Sequence, residues 1–305
     1  MDKAKRVKGE WKRLSVQAAA FLLQNPKLQR FFLGRIETGK TKSVCVPGLN
    51  CYSCPAAIGA CPIGSLQNTM GKYKKLAFPY YVLGFLILVG LLLGRWVCGF
   101  LCPFGLVQDL IYRIPFFRKI RTFPYERALR FLKYAVLGVL VIGLPLYSAL
   151  NGELVPYFCK YLCPSGTLFG AVPLTLAGAV KASQLGNLFW WKIGVMLALL
   201  LLSLLISRPF CRYLCPLGAI YGMFNRIALT HLRYEKETCV DCKKCVEVCA
   251  MGIDPRTQFN SAECIRCGRC ARTCPTESLA VRFGPDREKK LTKKPQCSSC
   301  KNKKV

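Results

Sequence analysis

Apolar and polar residues fall in long blocks along this chain, not in the short alternation of strands. Three blocks, 76–94, 131–150 and 188–207, are nearly free of charge: the first carries none, the second only Lys133 and the third only Lys192. A helix needs about 20 residues to cross the hydrocarbon core of a bilayer, and each block reaches roughly that length. Tyr80, Tyr81, Trp96, Trp190 and Trp191 stand at block ends, where amphipathic rings favour the membrane interface. Three transmembrane helices are expected. The apolar stretch 14–23 is interrupted downstream by Pro26, Lys27 and Arg30. It is expected to be a fourth, imperfect crossing, the alternative being an interfacial helix.

Charge sets the orientation. Arg113, Arg118, Lys119, Arg121, Arg127 and Arg130 lie between the first two blocks, against only Lys160 and Lys181 between the second and third. By the positive-inside rule the first loop is cytoplasmic, the second is outside, and everything after Arg208 returns to the cytoplasm. The basic start (Lys3, Lys5, Arg6, Lys8, Lys12, Arg13) also argues for the inside, and no small-residue cleavage site follows it, so no cleavable signal peptide is expected. The resulting plan is a basic N-terminus with a first membrane helix (1–37), an extracytoplasmic cysteine-rich loop (38–75), a membrane domain (76–230), a small cytoplasmic domain (231–284) and a basic tail (285–305).

Composition supports this plan. The chain is 52% hydrophobic yet carries a formal charge of +30, from 45 Lys and Arg against 15 Asp and Glu. A basic soluble protein is rarely so apolar; a membrane protein with basic cytoplasmic segments reconciles the two. No nucleic-acid motif accompanies the charge. A single histidine, His231, and no C-x-x-C-H motif argue against haem, and no Gly-rich nucleotide loop, flavin motif or catalytic triad occurs.

The chemistry lies in 20 cysteines. Cys239, Cys242, Cys245 and Cys249 form C-x2-C-x2-C-x3-C, and Cys264, Cys267, Cys270 and Cys274 repeat it, followed by Pro275. Three cysteines of such a run reach three corners of a cubane while the fourth turns to the other cluster. One [4Fe–4S] cluster is therefore expected on Cys239, Cys242, Cys245 and Cys274, and the second on Cys264, Cys267, Cys270 and Cys249. Zinc would favour separate C-x-x-C pairs or Cys with His. The segment 237–283 resembles the bacterial two-cluster ferredoxins, departing from them at Ala250, where that family usually has proline.

A second pattern repeats in the membrane part. Cys-Pro-x-Gly occurs at Cys61, Cys102, Cys163 and Cys215, and in the last three a further cysteine stands four positions earlier, at Cys98, Cys159 and Cys211. A duplicated helix-plus-cysteine module is expected, with the apolar run 168–180 interfacial or re-entrant. An apolar helix, Cys-Gly-Phe-Leu-Cys-Pro-Phe-Gly at 98–105, Cys-Arg-Tyr-Leu-Cys-Pro-Leu-Gly at 211–218 and then a two-cluster ferredoxin resemble the NapH/NosR-type membrane polyferredoxins. The resemblance implies electron exchange with the quinone pool or a partner membrane protein. The extracytoplasmic flavin-binding domain of NosR has no counterpart in these residues, so that part does not carry over.

Cys98, Cys102, Cys211 and Cys215 admit three readings: a further metal or cluster, a redox-active dithiol, or buried structural cysteine. On the outer side Cys45, Cys51, Cys54, Cys61, Cys159 and Cys163 suggest a redox or metal role, with disulfides as the alternative. Cys297 and Cys300 in the tail form a lone C-x-x-C, a weak signal for a labile disulfide or a partner's metal site. The fold class expected is a membrane all-α bundle of three to four transmembrane helices carrying a small α+β ferredoxin-like cytoplasmic domain. The function expected is single-electron transfer at the cytoplasmic membrane, as an electron-carrier subunit, between a soluble ferredoxin or flavodoxin and a membrane or extracytoplasmic redox partner. The alternative is a redox-sensing regulator or a maturation factor for another metalloenzyme.

Overall fold

The computed structural model describes residues 3–36, 39–70, 79–115, 119–120, 125–153, 155–180 and 185–284. The tail with Cys297 and Cys300 lies outside them, as do Leu76, Arg118, Arg121 and Lys181. Its helices are α1 (Lys3–Gln24), α2 (Pro62–Met70), α3 (Tyr80–Leu92), α4 (Trp96–Phe100), α5 (Pro103–Tyr112), α6 (Ala128–Leu150), α7 (Asn187–Leu205), α8 (Pro209–Tyr213), α9 (Pro216–Phe224), α10 (Lys244–Glu247) and α11 (Arg269–Thr273), with short helical pieces between Phe158 and Leu176.

Among the described residues two helices, α6 and α7, are long and apolar enough to cross a membrane. On α7 only Met196, Leu199 and Ser203 are buried, while Trp190, Trp191, Leu197 and Leu201 face outward. α6 contains a π-helical stretch, Val136–Gly143, just before Pro145, whose ring removes a helical donor. α3, with 13 residues, is shorter than the block that predicts it. Its buried stripe is Val82, Leu86 and Gly90, one residue per turn, with Leu83, Phe85 and Val89 packed partly against the core, while Ile87, Leu88, Leu91 and Leu92 face away from the protein. The helix stops because Gly94 adopts a left-handed conformation (φ 53°), which turns Arg95 inward.

The stretch 14–23 is part of α1, and the face α1 buries mixes Arg13, Gln17 and Gln24 with Leu14 and Ala20. The C-x3-C-P turn between α4 and α5 leaves the Gly99 and Leu101 carbonyls without helical donors, and α1 supplies them, adding a second donor at Cys102, whose carbonyl already accepts from the Leu106 N–H. Arg13 Nη1 donates to the Gly99 carbonyl at 3.1 Å, Gln17 Nε2 to Cys102 at 3.1 Å and Gln24 Nε2 to Leu101 at 3.0 Å.

The C-terminal domain is framed by an antiparallel pair, β1 (Thr230–Tyr234) and β2 (Leu279–Phe283), in register from Thr230 opposite Phe283 to Tyr234 opposite Leu279. It is fixed to the helical part by buried polar contacts. Glu263 pairs with Arg95 at 3.1 Å and with Lys133; Asn225 Nδ2 donates to the carbonyls of Ser261 and Cys264, both at 2.8 Å; Glu10 of α1 pairs with Arg269 and Arg272, both at 2.9 Å.

Candidate metal centres

The two cysteine runs are folded by repeated backbone turns. Left-handed residues occur at matched positions: Asp241 (φ 51°) and Arg266 (φ 50°) before the second cysteine of each run, Lys243 (φ 55°) and Gly268 (φ 70°) after it. Such turns curl the loop inward, and α10 and α11 then carry the third cysteines, Cys245 and Cys270. Cys239, Cys242, Cys245 and Cys274 line one small cavity with Tyr234 and Leu279; Cys249, Cys264, Cys267 and Cys270 line another with Leu232, Ile253 and Ile265. The structure thus brings each run's fourth cysteine to the other run's first three.

Burial pushes the Cys245 thiol up to about 11 and that of Cys264 to about 12, and neighbouring thiols add to the effect. Burial acts the same way on Cys274, but hydrogen bonds from Thr276 and Ser278 outweigh it and leave that thiol below its ordinary value. Crowded, buried thiols become thiolates together only when a cationic centre compensates them. The donor chemistry of both sets therefore fits an iron–sulfur cluster. No group of three or more His, Cys, Asp or Glu closes around a single ion among the described residues.

The remaining described cysteines are also free thiols, so the disulfide alternative for the outer ones finds no bridged pair among them. In each Cys-Pro-x-Gly unit the cysteine immediately precedes the following helix, with proline in its first turn where no N–H is needed. The glycine N–H three residues on is directed at the cysteine sulfur: Gly64 to Cys61, Gly105 to Cys102, Gly166 to Cys163 and Gly218 to Cys215, the last at 3.4 Å. The four units meet in two pairs. Cys98, Cys102, Cys211 and Cys215 are buried within electrostatic reach of one another. Cys51, Cys61, Cys159 and Cys163 line a cavity of about 430 Å³. Cys54 Sγ donates to Asn25 Oδ1 at 3.5 Å, and neither Cys45 nor Cys54 lines that cavity.

Sequence reasoning assigned no role to Arg95 or Arg208 and passed over the acids they meet. Arg95 and Arg208 are fully buried, each three residues before the first cysteine of a C-x3-C-P unit. Arg208 holds Asp109 through two contacts, at 3.0 and 2.5 Å, and Arg13 reaches the same carboxylate at 2.7 Å. Burial alone raises the Asp109 carboxyl, but these guanidiniums outweigh it and hold it well below the usual carboxylate range. Arg-x2-Cys-x3-Cys-Pro, occurring twice, is the signal that points to the two arginines.

A family model described as a 4Fe-4S binding domain matches residues 59–79, 77–124, 134–174 and 188–234, and a second model of the same description matches 257–279. The chain is 31% identical to an uncharacterized protein of Methanocaldococcus jannaschii over 206 residues, covering 65% of this chain and 76% of that one. It is 30% identical to the putative electron transport protein YccM of Escherichia coli, over 63% of this chain and 52% of YccM. It is 26% identical to the ferredoxin-type protein NapH of Escherichia coli, over 61% of each. No solved structure matches.

Proposed function

The chain belongs to the NapH/NosR-type 4Fe–4S polyferredoxins, and from that premise we propose that it is a membrane-bound carrier of single electrons with two [4Fe–4S] clusters in its C-terminal domain. The observation that carries this reading is the crossed gathering of eight thiols, Cys239, Cys242, Cys245 and Cys274 around one cavity and Cys249, Cys264, Cys267 and Cys270 around the other. A [4Fe–4S] cluster supplies one-electron chemistry with no group transfer. The chain's own residues bind it, keep it dry and fix its position. Leu232, Ile253, Ile265 and Leu279 exclude water from the cavities. Glu263, Asn225 and Glu10 hold the domain against the helices, so that the distance over which an electron moves stays constant.

Membrane residence is supported by the outward apolar faces of α3, α6 and α7, which no aqueous surface would favour. The excess of basic residues between the first two apolar blocks supports placing the ferredoxin domain in the cytoplasm. An acidic redox protein is the partner favoured there. A cavity of about 350 Å³ has Cys249 in its wall, and in its lining Arg113, Lys119, Arg269 and Arg272 outnumber Glu10 and Glu247, which leaves net positive charge beside a ligand of one cluster.

The test is anaerobic purification with iron and sulfide quantification and EPR of the reduced protein. Two interacting [4Fe–4S] signals from the C-terminal domain are expected, and both disappear in the Cys242→Ser/Cys267→Ser variant. Colourless protein containing zinc instead of iron would overturn the reading.

A further inference from the structure

We propose that the helical domain binds two more iron–sulfur clusters, one on Cys98, Cys102, Cys211 and Cys215 and the other on Cys51, Cys61, Cys159 and Cys163, and that they continue the electron path out of the ferredoxin domain. The proposal rests on the electron-carrier reading above and extends it to eight cysteines whose chemistry the ferredoxin domain does not use.

The first argument is pairing. Four Cys-Pro-x-Gly units lie far apart in the chain, and the fold joins the first with the third around one cavity and the second with the fourth in one buried cluster, where Gln108 of the helix after Cys102 donates to Cys211 Sγ at 3.2 Å. The second and fourth units supply four thiols, and Cys51 joins the three of the first and third units to make four there too, the number that a cysteine-ligated cluster takes. A dithiol switch needs only two. At the outer set the glycines form a cradle. A Cβ on Gly166 would stand 3.4 Å from Cys51 Sγ and 3.9 Å from Cys163 Sγ, and one on Gly64 would stand 3.7 Å from Cys159 Sγ. These glycines leave the sulfurs facing open space, and the cavity of about 430 Å³ is that space.

The second argument is charge. Across the inner set, Arg95 donates to the Cys211 carbonyl at 2.9 Å and Arg208 donates to the Cys98 carbonyl. Helix N-termini and N–H groups are directed at one cysteine of each C-P unit in both sets. An anionic cluster with four thiolates is stabilised by such surroundings; four neutral thiols gain little from them.

The third argument is continuity. A Cβ on Gly99, next to Cys98, would stand 2.7 Å from the Ile265 carbonyl oxygen and 4.0 Å from Cys267 Cα, so the inner set adjoins the ferredoxin cavity lined by Cys267. From the inner set the path passes through Gly48, whose Cβ would lie 3.2 Å from Cys102 Cα, and Leu49, whose carbonyl accepts from Ser165 Oγ at 2.9 Å. Ser165 lies two residues from Cys163 of the outer set. In each transfer one electron leaves a reduced cluster, which is oxidised by one, and enters the next, which is reduced by one. No bond is broken and no proton moves.

The test uses the full chain purified without oxygen. About 16 iron atoms per chain and four one-electron steps in a coulometric titration are expected. The Cys242→Ser/Cys267→Ser variant should keep about 8 irons, all from the helical domain. Cys61→Ser/Cys163→Ser should lose iron, whereas Cys45→Ser/Cys54→Ser should lose none. About 8 irons and two electron steps in the wild type would overturn this proposal and leave the ferredoxin clusters standing. Equal iron loss from the Cys45/Cys54 and Cys61/Cys163 variants would overturn the outer set. A wild type without iron overturns both readings. The electron count on the wild-type protein decides the matter even where a serine variant does not fold.

Discussion

Asp109 is 3% exposed and sits between two guanidiniums, those of Arg13 on α1 and of Arg208 just before α8. Arg208 is held there in a left-handed conformation (φ 53°), a backbone state that costs a non-glycine residue free energy and persists only when the surroundings hold it. Asp109→Asn leaves two buried cations without their acid and should destabilise the helical domain by about 3–5 kcal/mol, read as a lowered Tm in detergent. The sign with pH follows from the lowered carboxyl. The pair stabilises fully above the unfolded carboxylate range, near pH ~4, and loses its contribution only as pH falls through the lower folded value. The wild-type-minus-variant difference should therefore be flat between pH ~5 and ~8. A difference that shrinks as pH falls across that window would show that Asp109 is not held as a paired carboxylate.

At the scale of elements, backbone meets backbone where the two domains join. A Cβ on Gly222 of α9 would lie 2.8 Å from the Ala262 carbonyl oxygen, and one on Gly99 of α4 2.7 Å from that of Ile265. A carbonyl in a ligand loop cannot retreat as a side-chain tip can. Gly222→Ala and Gly99→Ala should each cost about 1–3 kcal/mol and push the ferredoxin domain away, which limited proteolysis between 224 and 235 should detect as faster cleavage. Gly84, in the middle of α3, has nothing within 4 Å of its Cβ position. Gly84→Ala should be neutral or stabilise by up to about 1 kcal/mol. If all three variants behave alike, close approach is not what the junction glycines provide.

At the scale of the whole molecule, the charge of +30 is long-ranged and screened by salt, with a Debye length of about 10 Å at 0.1 M. Reduction by an acidic ferredoxin or flavodoxin should slow several-fold as ionic strength rises, while reduction by a small neutral reductant stays constant. Equal salt dependence for the two donors would remove the steering role of the basic cavity beside Cys249.

The sequence alone determined what is local. Two runs of x2, x2, x3 spacing put three cysteines of each run within one turn-rich loop, and the fold gathers the eight as the spacing predicts. Long apolar blocks became helices because hydrophobic length needs no partner to be recognised. The tertiary structure decided what depends on contacts between residues far apart in the chain. Cys51 and Cys61 meet Cys159 and Cys163 across about a hundred residues, and no spacing rule excludes Cys45 or Cys54 from that set. Arg95 and Arg208 have no legible role in the sequence, because their partners, Glu263 and Asp109, come from elsewhere in the chain. The polar residues that α1 buries found their purpose only in the carbonyls of the C-x3-C-P turn. A buried charge or thiol is accounted for by the group that compensates it, and that group is chosen by folding, not by its neighbours in sequence.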